Sequence, residues 1–143
     1  MEKLNNTLLY TLDKCFRTYN QFSQKNVSKA GYNITIDQWL ILKSLSEESS
    51  LTQSDMSRVL FKDAASITRI VFLLEKKGYI KRKVNPADRR KALLQLTEAG
   101  LKITVDVNEV ALKNRAKALK GISLEKINEM RNLLHQIMEN CKS

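Results

Sequence analysis

Proline occurs once in the 143 residues, glycine four times, cysteine twice and histidine once. Each scarcity excludes something. So little proline and glycine leaves few turns, and long helices are expected instead. Cys15 and Cys141 stand near opposite ends, with no Cys-x-x-Cys pair and no Cys/His cluster at metal-ligand spacing. Neither a disulfide framework nor a metal module is therefore expected. His135, the single histidine, follows the core-like Leu134. No glycine-rich phosphate loop, nucleophile–base pair or paired catalytic carboxylates stand out, so no enzyme and no cofactor are expected. No stretch approaches the ~18 apolar residues of a membrane span. Asp13 and Lys14 also interrupt the apolar run that a signal peptide needs. The expectation is a cytoplasmic protein without a membrane partner.

What is present is charge of one sign on a foldable chain. The length lies within the roughly 100–200 residues of one domain, and 43% of the residues are hydrophobic. The net charge is +10 and the pI about 9.7. Such a balance favours polyanions, nucleic acid ahead of an anionic membrane surface; a solvated basic surface is the plain alternative.

Periodicity divides the chain. Leu4, Leu8, Leu12, Phe16 and Tyr19 share one face of a long first helix, starting at the terminus and ended by Gly31. Thr35 with Gln38 forms a capping box for a second helix, whose buried face is Trp39, Leu42 and Leu45. Thr52 with Asp55 starts a short third helix with apolar positions Met56, Val59 and Leu60. After a break at Phe61-Lys62, Asp63 caps a fourth helix that turns Ile67, Ile70, Val71 and Leu74 inward and stops at Gly78. The pattern then changes to two strands, Tyr79–Val84 and Ala92–Leu96, around the turn-rich run Asn85 to Arg90. Thr97 caps a long helix to about Lys120. Gly121 breaks it, and Ser123 caps a last helix carrying the seam Ile127, Met130, Leu134, Ile137 and Cys141.

The third and fourth helices have the dimensions of a helix-turn-helix. Ala64, Ala65, Ser66, Thr68 and Arg69 face outward near the start of the fourth. Small residues let a backbone enter a major groove, Ser66 and Thr68 offer hydroxyls to phosphates or bases, and Arg69 matches guanine. An ordinary capped helix with a small-residue outer face would look alike. The hairpin shifts the balance. Lys81, Arg82, Lys83, Arg89, Arg90 and Lys91 put six cations into eleven residues, with Asp88 the only acid. Against a duplex those charges release counterions, and an Arg at a narrow tip suits the minor groove. Asp88 is expected to hold Arg90 or to shape the turn with its own side chain.

The run Asn85-Pro86-Ala87-Asp88-Arg89-Arg90-Lys91, followed by Leu94, Leu96-Thr97 and Gly100, resembles the signature of the MarR family of bacterial regulators. The likeness extends over essentially the whole chain. It implies a mainly α fold with a small β-hairpin wing: a winged helix-turn-helix lobe at 35–96, with dimerisation helices at 1–31 and 98–143. It further implies a homodimer built through Leu4, Leu8, Leu12, Ile127, Met130, Leu134 and Ile137. That dimer would read a pseudo-palindromic double-stranded operator through Ala64, Ala65, Ser66, Thr68, Arg69, Arg82, Asp88, Arg89, Arg90 and Lys91, with Arg90 in the minor groove. The expected activity is repression relieved by a small phenolic or lipophilic effector. Two alternatives stand beside it. One is a thiol-based organic peroxide sensor of the same family using Cys15, although Ile36 stands where that subgroup places a tyrosine and only Tyr32 offers a substitute. The other is a winged-helix module that binds protein or RNA.

Overall fold

Capping side chains set where most of the helices begin. The structure, a computed structural model, describes residues 1–142; Ser143, the last residue of the expected 98–143 arm, lies outside them. A 3-10 turn at Leu4–Asn6 precedes α1 (Leu8–Lys29), α2 (Ile36–Glu47), α3 (Gln53–Leu60) and α4 (Ala64–Lys76). Strands β1 (Ile80–Val84) and β2 (Ala92–Leu96), then α5 (Glu98–Ala118) and α6 (Leu124–Asn140), complete the order. Thr35 and Gln38 exchange reciprocal bonds at the start of α2, and Thr52 and Asp55 do so at the start of α3. Asp63, Thr97 and Ser123 each accept a backbone N–H three residues on. Each such bond satisfies a donor that a helix start otherwise leaves free. Gly31 and Gly78, both at positive φ, close α1 and α4.

Two expectations need correction, and one contact was not expected. The first helix does not run from the terminus: α1 begins at Leu8, after a Thr7 that makes no side-chain cap, and Leu4 sits in the separate 3-10 turn. The segment Asn5-Asn6-Thr7 accounts for this, because short polar side chains favour turns over helix interiors. Val59 is exposed instead of lying on an inner face. Leu51, unassigned in the sequence reading, bridges to Leu94, whose N–H donates to the Leu51 carbonyl at 2.7 Å.

The core lies in the central lobe. Ile41, Leu42, Met56, Ile67, Val71, Leu74 and Leu94 are fully buried there. Burying each such side chain is worth about 1.5–3 kcal/mol. The lobe is fastened to the start of α5 by three short contacts. Trp39 Nε1–H donates to the Thr104 carbonyl at 3.3 Å, and Thr97 Oγ1–H donates to the Gly78 carbonyl at 2.6 Å. Gly100 lies so close to the Tyr79 carbonyl that any Cβ there would overlap it.

The terminal helices contrast with this core. On α1 and α5, Val27 and Val107 join it, while Asn26 Nδ2–H donates to Asn114 Oδ1 at 2.8 Å between the two helices. Ser23 Oγ and Asn114 Nδ2 are buried without a partner among the described residues. Leu8, Leu12 and Phe16 are exposed. Helix α6 buries none of its 17 residues; Ile127, Leu134 and Ile137 are half-buried and Met130 is exposed.

Candidate nucleic-acid interface

Helix α3 passes to α4 through Phe61, which takes a left-handed conformation (φ 54°, ψ 46°). The Phe61 and Lys62 N–H groups both donate to the Ser57 carbonyl, which closes α3 within a single turn. Asp63 then opens α4. Its carboxylate accepts the Ser66 N–H at 2.8 Å and the Ser66 Oγ–H at 2.9 Å. These bonds hold the Asp63 carboxyl below the ordinary carboxylate range. Ser66 is therefore half-buried in the cap, and its hydroxyl proton is not free for a ligand. Thr68 is engaged as well: its hydroxyl donates to the Ala64 carbonyl at 2.9 Å and accepts from Gln53 Nε2 at 3.1 Å. Ala64, Ala65, Thr68 and Arg69 form an exposed patch at the start of α4. Of the five residues expected to face outward, only Arg69 keeps a fully free hydrogen-bonding head among the described residues.

The wing is an antiparallel pair with Lys81 opposite Gln95, Arg82 opposite Leu94 and Lys83 opposite Leu93. Its tip is shaped by acceptors. Asn85 Oδ1 takes the Ala87 N–H at 3.0 Å. Asp88 Oδ1 takes the Arg90 N–H at 3.0 Å and the Arg90 Nε–H at 3.2 Å. Both roles expected of Asp88, turn former and Arg holder, are thus present together. The Arg90 side chain, then its backbone N–H, keeps the Asp88 carboxyl below its usual range. The Arg90 side chain stays 90% exposed, and Lys81, Lys83, Arg89 and Lys91 are exposed as well. Arg82 differs: its Nε–H donates to Glu75 Oε1 of α4 at 2.9 Å, tying the wing to the helix before it.

Between wing and helices lies a feature the sequence reading missed. Thr52, Gln53 and Ser54 at the start of α3, together with Arg82, Arg90, Lys91 and Ala92, line a recess of about 250 Å³. The first N–H groups of a helix lack intrahelical partners and carry partial positive charge. Three cations and a helix start around one small volume make a seat for an anion such as a phosphate oxygen. The Thr52–Asp55 capping box marked that helix start; only the fold brings it to the base of the wing.

The remaining candidates lie outside this recess. Cys15 is exposed and lines an apolar groove of about 570 Å³ with Tyr19, Phe22 and Ala118. Lys117 Nζ stands 5.5 Å from the centre of the Phe22 ring in the same groove. Ile36 and Tyr32 both pack against the core. His135 is exposed on α6. No helix among the described residues is long and apolar enough to cross a membrane.

A three-helix lobe with a presented helix start and a cationic hairpin beside it defines a winged helix-turn-helix protein. The MarR family model matches residues 34–92, which contain α2 to α4 and most of the wing. Relatives match along nearly the whole chain. The organic hydroperoxide resistance transcriptional regulator of Bacillus subtilis (strain 168) is 28% identical over 144 residues, covering 96% of this chain and 90% of that protein. The HTH-type transcriptional regulator MhqR of the same organism is 25% identical over 135 residues, covering 94% and 92%. The fold of BpsR from Bordetella bronchiseptica, whose DNA binding is regulated by 6-hydroxynicotinic acid, matches with a TM-score of 0.88 at 17% identity, covering 96% and 97%. Residues 34–92 thus carry the winged helix-turn-helix of the MarR family, and over nearly its whole length the chain is similar to transcription regulators.

Proposed function

We propose that the chain works as a homodimeric repressor that grips a pseudo-palindromic operator and releases it when a small phenolic or lipophilic effector binds. Residues 35–96 form the reading lobe, and residues 1–31 and 98–143 the dimerisation arms. The observation that carries the DNA contact is the cationic recess at the base of the wing, next to the exposed start of α4. Phosphates seat against the α3 start, Lys91 and the free edge of Arg82. Arg89, Lys81 and Lys83 add sequence-independent attraction. Arg90, steadied by Asp88, enters the minor groove, and Ala64 to Arg69 face the major groove. The dimer is supported by α6: a helix of 17 residues with nothing buried has too little within its own chain to hold it folded. Its half-buried seam, with exposed Leu8, Leu12 and Phe16, supplies the missing apolar contact. The apolar groove beside Cys15 supports the effector reading, since it has the size and lining of a small-molecule site.

Selection of bound sequences from random duplexes, followed by titration, tests the proposal. An enriched palindrome, bound by a species of twice the chain mass in sedimentation, is the expected result. Enrichment of no sequence would favour the protein- or RNA-binding alternative.

A second reading rests on the exposure of Cys15 in that same groove. In it, oxidation of the thiol by an organic hydroperoxide takes the place of effector binding. Release of operator by a hydroperoxide in the native chain and not in Cys15→Ser is what this reading requires.

A further inference from the structure

The patch expected to read bases has few hydrogen-bonding groups left. Ala64 and Ala65 offer only methyl groups. The Ser66 proton is held by Asp63, and the Thr68 hydroxyl both donates and accepts within the lobe. Beside this patch stands Phe61, 97% exposed and at φ 54°, a conformation that glycine adopts at lower cost. The ring covers no part of the core. The left-handed strain lowers folding stability, offset in part by the N–H bonds with which Phe61 and Lys62 close α3 on Ser57. Nothing in the core uses the ring.

The location indicates what does. Phe61 precedes Ala64 by three residues, so its Cα lies within about 11 Å of the exposed start of α4. The cations flanking it are each paired with a carboxylate. Arg58 is bound to Asp55 at 2.6 Å and Lys62 to Asp37 at 3.2 Å. Val59, close by on α3, is exposed too. Val59, Phe61, Ala64 and Ala65 are thus four exposed apolar residues within seven positions at the turn that leads into the proposed DNA contact. In a major groove the one apolar group on the base edges is the 5-methyl of thymine, and Ala and Phe side chains are suited to it.

We infer that Phe61 is a base-reading residue that packs, with Ala64 and Ala65, on thymine methyl groups. Base choice then follows a pattern of thymine methyls around a single Arg69–guanine pair. The inference rests on the DNA contact proposed above and specifies the chemistry of that contact.

The test uses the full-length chain and a duplex obtained by selection. Each thymine is replaced in turn by deoxyuridine, which removes only the methyl group. Native chain and Phe61→Gly are compared by titration and thermal unfolding. At one thymine per half-site the replacement weakens native binding about tenfold. Phe61→Gly binds the thymine duplex about tenfold more weakly, ignores deoxyuridine at that position and keeps the native salt dependence. It also unfolds at a higher temperature, because glycine relieves the left-handed strain. A native chain indifferent to deoxyuridine at every position overturns the inference and leaves the DNA contact standing. So does a Phe61→Gly that keeps the native thymine preference throughout. If Phe61→Gly changes the sedimenting mass while that preference is unaltered, the ring serves a protein contact and the inference falls. Failure of the native chain to bind any selected duplex defeats the DNA contact itself.

Discussion

In the proposed complex Arg69 and Arg90 have separate tasks. Arg69 has a free head on the α4 patch, so Arg69→Ala should relax preference at one base position by about 1–3 kcal/mol, read by competition among single-base variants of the duplex. Arg90 is aimed by Asp88. Arg90→Ala should weaken binding roughly ten- to a hundredfold in an anisotropy titration, and an unchanged affinity would mean that the wing tip does not enter the groove. Gly100 serves the fold. A Cβ there meets backbone and not a yielding side chain, so Gly100→Ala should cost about 1–3 kcal/mol in denaturant unfolding. The sequence disclosed the Asp88–Arg90 pair because two residues in one turn can meet whatever the rest of the chain does. It did not disclose that Gln53 reaches Thr68, or that Arg82 reaches Glu75, because those partners lie on different elements. The bonds of the Ser66 and Thr68 hydroxyls within the lobe were hidden for a related reason: periodicity says which way a residue faces and leaves open whether its polar atoms are already used.

Two helices of the lobe, α3 and α4, start on carboxylates. Asp55 is held below its usual range mainly by the Thr52 N–H, then by the Thr52 hydroxyl, with Arg58 adding a smaller attraction. Asp63 is lowered by the Ser66 N–H and hydroxyl. A carboxyl lowered on folding contributes stability that is complete above its unfolded-state pKa of about 4 and is lost as pH falls through the lower folded-state value. Thermal unfolding followed from neutral pH downward should therefore be flat with respect to these two groups until about pH 4, then fall. Asp55→Asn should show a smaller drop over that acid window. Elements such as these were legible in the sequence because caps and terminating glycines are local chemistry. Thr35, Thr52, Asp63, Thr97 and Ser123 all mark helix starts in the fold. The start of α1 was not legible, since its preceding Thr7 makes no cap and the apolar row continued past it to Leu4. The Leu51–Leu94 bridge was hidden because a single residue carries no period.

At the scale of the molecule, a well-packed lobe is joined to arms that carry their apolar groups outward. Replacing Leu8 and Leu12 together by Glu should leave the lobe folded, halve the sedimenting mass and reduce operator affinity by about a hundredfold or more, because two linked contacts become independent. Helix α5 connects the two regions. Its first turns are fixed to the lobe through Trp39, Thr97 and Gly100, while farther along it meets α1 across the Asn26–Asn114 bond. With 21 residues it is roughly 30 Å long, a lever bonded to the lobe at its first turns and to α1 through Asn114 farther along. A tilt of about 10° at its α1 end swings its lobe end by roughly 5 Å. In the proposed dimer, two lobes meeting successive grooves about 34 Å apart would then be out of step with the duplex by a large fraction of a groove width. On this geometry a ligand acting on the arms need not touch the reading lobe to disengage it; changing the angle is enough.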